Sequence, residues 1–169
     1  SYSEENSALL VEAGVLRTLP GLISPEGARD TTTTEVVELL WNILENVPLA
    51  LEWRGGAGGE TGEEETLGEL ATALTGLLSN SLVKGYRIPD KEVRNDALVV
   101  ATHLMWGERA RKVLVSNSGL VSACLAAAVS PELGASESIK PFALTKEPLD
   151  FELRRLAWEI SVGACTEQA

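Results

Sequence analysis

The chain is poor in the residues that carry chemistry. Its 169 residues include one histidine, His103, and two cysteines, Cys124 and Cys165. A zinc site needs several His or Cys ligands near one another, and this inventory forms no such motif. A histidine base needs an activated nucleophile and an orienting partner, and no such arrangement can be read. The sequence therefore points to no catalytic residue, no metal and no cofactor. Two thiols cannot build a disulfide framework. Each lies in an apolar helical run, where cysteine acts as a small core residue, and a reducing compartment is the expectation. Basic residues are also scarce: 14 Lys and Arg against 25 Asp and Glu leave a net charge of -11. Such a chain repels a phosphate backbone, which argues against nucleic acid and for a basic partner. No apolar run approaches the roughly 20 residues that span a bilayer, so no membrane partner is expected. Residues 1–10 lack the basic start and apolar core of a signal peptide. These absences predict a soluble, intracellular protein.

Aromatic residues make up only 5% of the chain, while Leu, Ala and Val are abundant and apolar content reaches 44%. That balance favours packed helices over a sheet sandwich, and almost no segment alternates with period two. Helices are predicted near 4–12, 35–46, 67–83, 91–105, 108–116, 119–129 and 150–164, with a helical spacing also over Val15–Ile23. Gly14 is a turn or cap, Asp30 and the threonines 31–34 offer N-caps, and Pro48 closes the helix before it. Residues 52–66, with the run Arg54-Gly-Gly-Ala-Gly-Gly-Glu-Thr-Gly-Glu-Glu-Glu65, have no apolar periodicity and read as a flexible acidic Gly-rich insertion dispensable for folding. Pro131 to Leu149 reads as a long connection.

Three helices share one pattern. Glu35-Val-Val-Glu-Leu-Leu-Trp41-Asn-Ile43, Arg94-Asn-Asp-Ala-Leu-Val-Val-Ala-Thr-His103-Leu104 and Glu152-Leu-Arg-Arg-Leu-Ala-Trp158-Glu-Ile160 place Trp41, Val99 and Trp158 at equivalent positions, 58 and 59 residues apart. A second shared pattern is Leu10-Val-Glu-Ala-Gly14-Val-Leu16 with Leu114-Val-Ser-Asn-Ser-Gly119-Leu-Val121. A repeated helical unit predicts a solenoid, a surface for holding partners.

The unit resembles the armadillo repeat. Leu9-Leu-Val-Glu-Ala-Gly14-Val-Leu-Arg-Thr-Leu-Pro-Gly-Leu-Ile23 looks like its first part, and Glu38-Leu-Leu-Trp41-Asn-Ile-Leu-Glu45 like its third helix. A closer likeness lies in Glu92-Val-Arg-Asn-Asp-Ala-Leu-Val-Val-Ala-Thr102, Ile139-Lys-Pro-Phe-Ala-Leu-Thr-Lys146 and Asp150-Phe-Glu-Leu-Arg-Arg-Leu156. These segments are similar to the cilia- and flagella-associated protein 69 family. The resemblance implies an all-α, right-handed, armadillo-like helical solenoid fragment over 1–169, part of a longer chain. It also implies a scaffold of the axonemal central apparatus in motile cilia and flagella. Its partners would then be other central-apparatus proteins, with microtubules bound directly or indirectly, and its location the cytoplasm and the axoneme. The alternative is a cytosolic armadillo-type adaptor for basic peptides or partner helices.

Candidate sites follow from the same elements. The Gly-rich stretch 55–62 lacks the Gly-Lys-Ser/Thr end of a phosphate loop, and Glu63, Glu64 and Glu65 lack the alternating ligands of a calcium loop. In armadillo proteins the third helices line a groove, and peptide-binding members carry Trp with Asn four residues later. Here Trp41 pairs with Glu45, Val99 with His103 and Trp158 with Val162. The Asn ladder is absent, so extended import peptides are not expected. Trp41, Glu45, His103 and Trp158 are the candidate groove for a helix or an extended segment.

Overall fold

The computed structural model describes residues 4–24, 30–47, 50, 53, 59–83, 88–129 and 148–167. Seven α-helices run through these residues: α1 (Glu4–Glu12), α2 (Thr31–Asn46), α3 (Gly59–Val83), α4 (Ile88–Leu104), α5 (Glu108–Ser116), α6 (Ser118–Val129) and α7 (Pro148–Glu167). No strand occurs among them. None is long and apolar enough by itself to cross a membrane; α5 and α6 together bend by 84° at their junction.

Local chemistry sets the ends. Gly14 turns the chain after α1 with φ 79°, a left-handed conformation glycine adopts at little strain. Beyond it, the expected helix over Val15–Ile23 is instead two short 3₁₀ turns, Val15–Arg17 and Pro20–Leu22. Pro20 has no N–H to continue an α-helix, and a proline is tolerated where such a turn begins. α2 starts four residues earlier than predicted because Asp30 caps it. One Asp30 oxygen accepts from the Thr32 N–H at 3.1 Å and the other from the Thr33 hydroxyl at 2.9 Å. The same hydroxyl accepts from the Ser24 N–H at 2.7 Å, so a fully buried threonine leaves nothing unpaired and ties α2 to the turn before it. Asn117 performs the like service for α6, accepting from the Leu120 N–H at 2.9 Å.

The third helices stand in a row. α2 packs on α4 and α4 packs on α7, the adjacency the recurring stripe predicts. Behind the row lie the Pro20–Leu22 turn, α3 and α6, with α3 touching the turn, α4, α5 and α6, and α6 touching α7. The chain is thus an all-α armadillo-like solenoid in which a third helix closes each unit. Each layer supplies its apolar stripe to the shared core: Val36, Val37, Leu40, Ile43 and Leu44 from α2; Leu67, Leu70, Leu74, Leu77 and Leu78 from α3; Leu98 and Leu104 from α4; Leu153, Leu156 and Ile160 from α7. Burying each such side chain is worth about 1.5–3 kcal/mol, offset in part by the entropy of ordering it.

The segment at 52–66 needs correction. α3 begins at Gly59, so the acidic run is the first turns of a helix rather than a flexible insertion. Glutamates are good helix formers and are favoured at a helix N-terminus. Arg109 of α5 donates to Glu63 at 2.5 Å with both side chains largely covered, and lies 3.9 Å from Glu64. Thr66 is buried and donates to the Gly62 carbonyl at 2.8 Å. Trp53 is 2% exposed and belongs to the core. Residues 54–58 lie outside the described residues, as do Pro48 and most of the connection over 131–149. α4 starts three residues before the expected position 91, with Pro89 in its first turn, where its missing N–H costs no helical bond.

Candidate partner-binding face

The third helices can be compared position by position. Shifts of 58 and 59 residues align Thr34, Glu92 and Phe151; Glu38, Asp96 and Arg155; Trp41, Val99 and Trp158; and Glu45, His103 and Val162. On each helix the four lie at i, i+4, i+7 and i+11, one stripe of the surface. All are exposed or half-buried, while the opposite stripes are core. One face of the row is therefore built from repeated positions.

The four residues expected to form a groove all sit on this face, in different surroundings. Trp41 is half-buried and packs against the core. Glu45 is exposed. His103 is half-buried, and its Nδ1 lies 2.9 Å from the Val99 carbonyl oxygen. A carbonyl can only accept, so that nitrogen is the donor. Its ring meets Trp106 at 4.9 Å between centroids, tilted by 46°. Trp158 is 56% exposed. The two tryptophans thus differ: one leans on the core and the other presents its ring outward.

The four groove candidates leave out several members of this face. Phe151 and Val162 of α7 are exposed. Arg155 is bound to its own helix, with Nη2 and Nε reaching the two Glu152 oxygens at 2.5 and 3.0 Å and Nη1 reaching Glu159 at 2.5 Å. Its hydrogen bond holds the Glu152 carboxyl below the usual range. Extending the register from Trp41/Val99/Trp158 to neighbouring positions would have found them.

Electrostatics support the register. Asp96 is half-buried, and its carboxyl is pushed up from 3.8 to about 6, first by burial, then by the charges of Glu38 and Glu92. Glu38 is the residue that the 58-residue shift places beside Asp96. Folded protein therefore holds this proton more tightly than unfolded chain does. The favourable contribution is fully present below about pH 4 and is lost as pH rises through about 6. Asp96→Asn should raise the melting temperature at pH 7.5 and flatten its fall between pH 4 and 6. The gain should be on the order of 1 kcal/mol or less, because solvent screens a half-exposed carboxylate. Thermal melts across that range check it; a lower melting temperature at pH 7.5 would mean the carboxylate is stabilising.

A cleft of about 550 Å³ borders the face between the end of α4, α5 and α7, lined in part by Thr102, Met105, Trp106, Arg111, Glu159 and Ile160. Trp106 is 67% exposed at its rim. Met105 lies close over Gly163: a Cβ there would fall 2.6 Å from the Met105 methyl, the far end of a flexible side chain that would have to move aside. Among the described residues no three His, Cys, Asp or Glu side chains gather in a way that could hold a metal ion.

The cysteines separate. Cys124 of α6 is buried, and desolvation pushes its thiol up to about 12, which makes it unreactive. Cys165, expected in the core, is exposed on α7. An apolar run does not say which side of the helix a residue takes.

No curated protein matches the chain. The family model described as cilia- and flagella-associated protein 69, ARM repeat, matches residues 1–169. With a helical repeat in the structure and this match across its length, the chain belongs to the cilia- and flagella-associated protein 69 family.

Proposed function

We propose that this protein is a structural scaffold of the axonemal central apparatus in motile cilia and flagella. It works by protein–protein contact and not by catalysis. Its partners are other central-apparatus proteins, through which or beside which it meets microtubules. Membership of a cilia- and flagella-associated family carries this reading. The row of third helices supports it, because a solenoid offers a long face on which several neighbours can sit at once.

The test is location and retention. A tagged full-length protein expressed in a ciliated cell should concentrate in motile axonemes and stay with them through salt extraction. It should be missing from non-motile cilia, which lack a central apparatus. A diffuse cytosolic signal, or release by mild salt, would defeat the scaffold and favour the soluble adaptor for basic peptides.

A further inference from the structure

Apart from Arg155, the outer stripe of α7 is apolar, where the matching positions are Thr34, Trp41 and Glu45 on α2 and Glu92, Val99 and His103 on α4. Phe151 is 54% exposed, Trp158 56% and Val162 47%. Their counterparts on α4 are Glu92, Val99 and His103, of which Val99 is half-buried against the core. Single exposed apolar residues are ordinary, but three in line over three turns form a patch. Arg155 lies within the stripe, and its guanidinium is engaged by Glu152 and Glu159 of the same helix.

The flank of this patch has a definite charge. α4 packs beside α7, and neighbouring helix axes lie about 8–10 Å apart. A body seated on α7 therefore reaches over the stripe of α4, with Glu92 and Asp96, towards Glu38 of α2. The charges acting on Asp96 are those of Glu38 and Glu92, both of its own sign. A cation arriving there relieves that crowding, and an anion adds to it. α7 offers side chains at helical spacing and no open strand edge. The matching surface is another helix, with apolar anchors at i, i+3 or i+4, and i+7.

We propose that this face docks an amphipathic helix of a partner protein, whose apolar stripe covers Phe151, Trp158 and Val162 and whose lysines or arginines along one flank meet Glu92, Asp96 and Glu38. The inference rests on the scaffold reading and names the kind of neighbour held. The carboxylate flank sets specificity by rejecting helices with acidic flanks.

The experiment uses the full chain and three fluorescein-labelled helical peptides of about 20 residues, roughly 30 Å long. One carries a leucine stripe with lysines on one flank. The second replaces the lysines by glutamate, and the third replaces the leucines by serine. Anisotropy should show binding of the first alone. Trp158→Ser should weaken it about tenfold or more, as loss of an aromatic anchor does. Phe151→Ser should weaken it in the same direction, as a second exposed substitution should the first fail to fold. The double change Glu92→Gln, Asp96→Asn should weaken it several-fold and reduce its dependence on salt. Leu9→Ser, at an exposed apolar residue on α1, should leave binding unchanged. Equal binding of the lysine and glutamate peptides, or indifference to both α7 substitutions, overturns the proposal. So does concentration-dependent self-association abolished by Trp158→Ser, which would make the occupant a second copy. Axonemal retention reports separately on the scaffold: a protein retained in axonemes that binds no peptide defeats this inference alone. A protein that binds the lysine peptide yet stays out of axonemes supports the docking chemistry and defeats the scaffold.

Discussion

Replacing Trp53 by alanine should lower the stability of the chain by about 3–5 kcal/mol, the usual cost of emptying a large aromatic site in a core. Trp53 is 2% exposed and part of the main hydrophobic cluster. Its backbone is held by a hydrogen bond from its N–H to the Ala50 carbonyl at 2.9 Å. Its φ of 57° is left-handed, which costs a non-glycine residue about 1–2 kcal/mol. That strain persists because the indole is buried. Trp53→Gly should therefore be no worse than Trp53→Ala, since glycine relieves the backbone while losing the same side chain. Urea denaturation with an unchanged slope is the measurement. A loss under about 1 kcal/mol would show that the indole merely rests on the core, and would restore the view of residues 52–66 as dispensable.

Leu156→Ala should cost about 2–5 kcal/mol. Leu156 is 3% exposed on the core side of α7, directly after two arginines. Arg154 donates to the Val129 carbonyl at 3.1 Å, at the last residue of α6, and Arg155 is engaged by Glu152 and Glu159. Arg154 ties α7 to the end of α6, which keeps the helix from settling easily into the cavity the mutation leaves. Incomplete collapse puts the expected loss in the upper half of that range. A change under about 0.5 kcal/mol would mean that this residue lies off the buried face.

The helices themselves were legible from the sequence. Apolar spacing announces the stripes of α2, α4 and α7, and the cap at Asp30 follows from side-chain chemistry acting within three residues. What escaped depends on partners distant in sequence. The first turns of α3 look like a solvated acidic run, because their support, Arg109, comes from 46 residues away. Trp53 looks like an isolated aromatic beside a glycine-rich stretch, and only the folded chain shows the core it enters. Cys124 and Cys165 sit in similar apolar company, yet helical phase buries one and exposes the other. The candidate face was half legible. The spacing of Trp41, Val99 and Trp158 identifies it. The same register reaches Glu38, Glu92, Asp96, Phe151 and Val162, but how crowded the first three are and how bare the last two are appears only when the helices stand side by side.

The row of third helices also behaves as a mechanical object. Joints arranged in series all bear the same tension, and extension gathers at the softest. The joint between α2 and α4 has Glu38 and Asp96 facing each other with like charge, whereas α7 faces α4 across Met105 set against the bare backbone of Gly163. At the joint between α2 and α4 the ionised Glu38 and Asp96 push apart, and neutralising Asp96 removes that push.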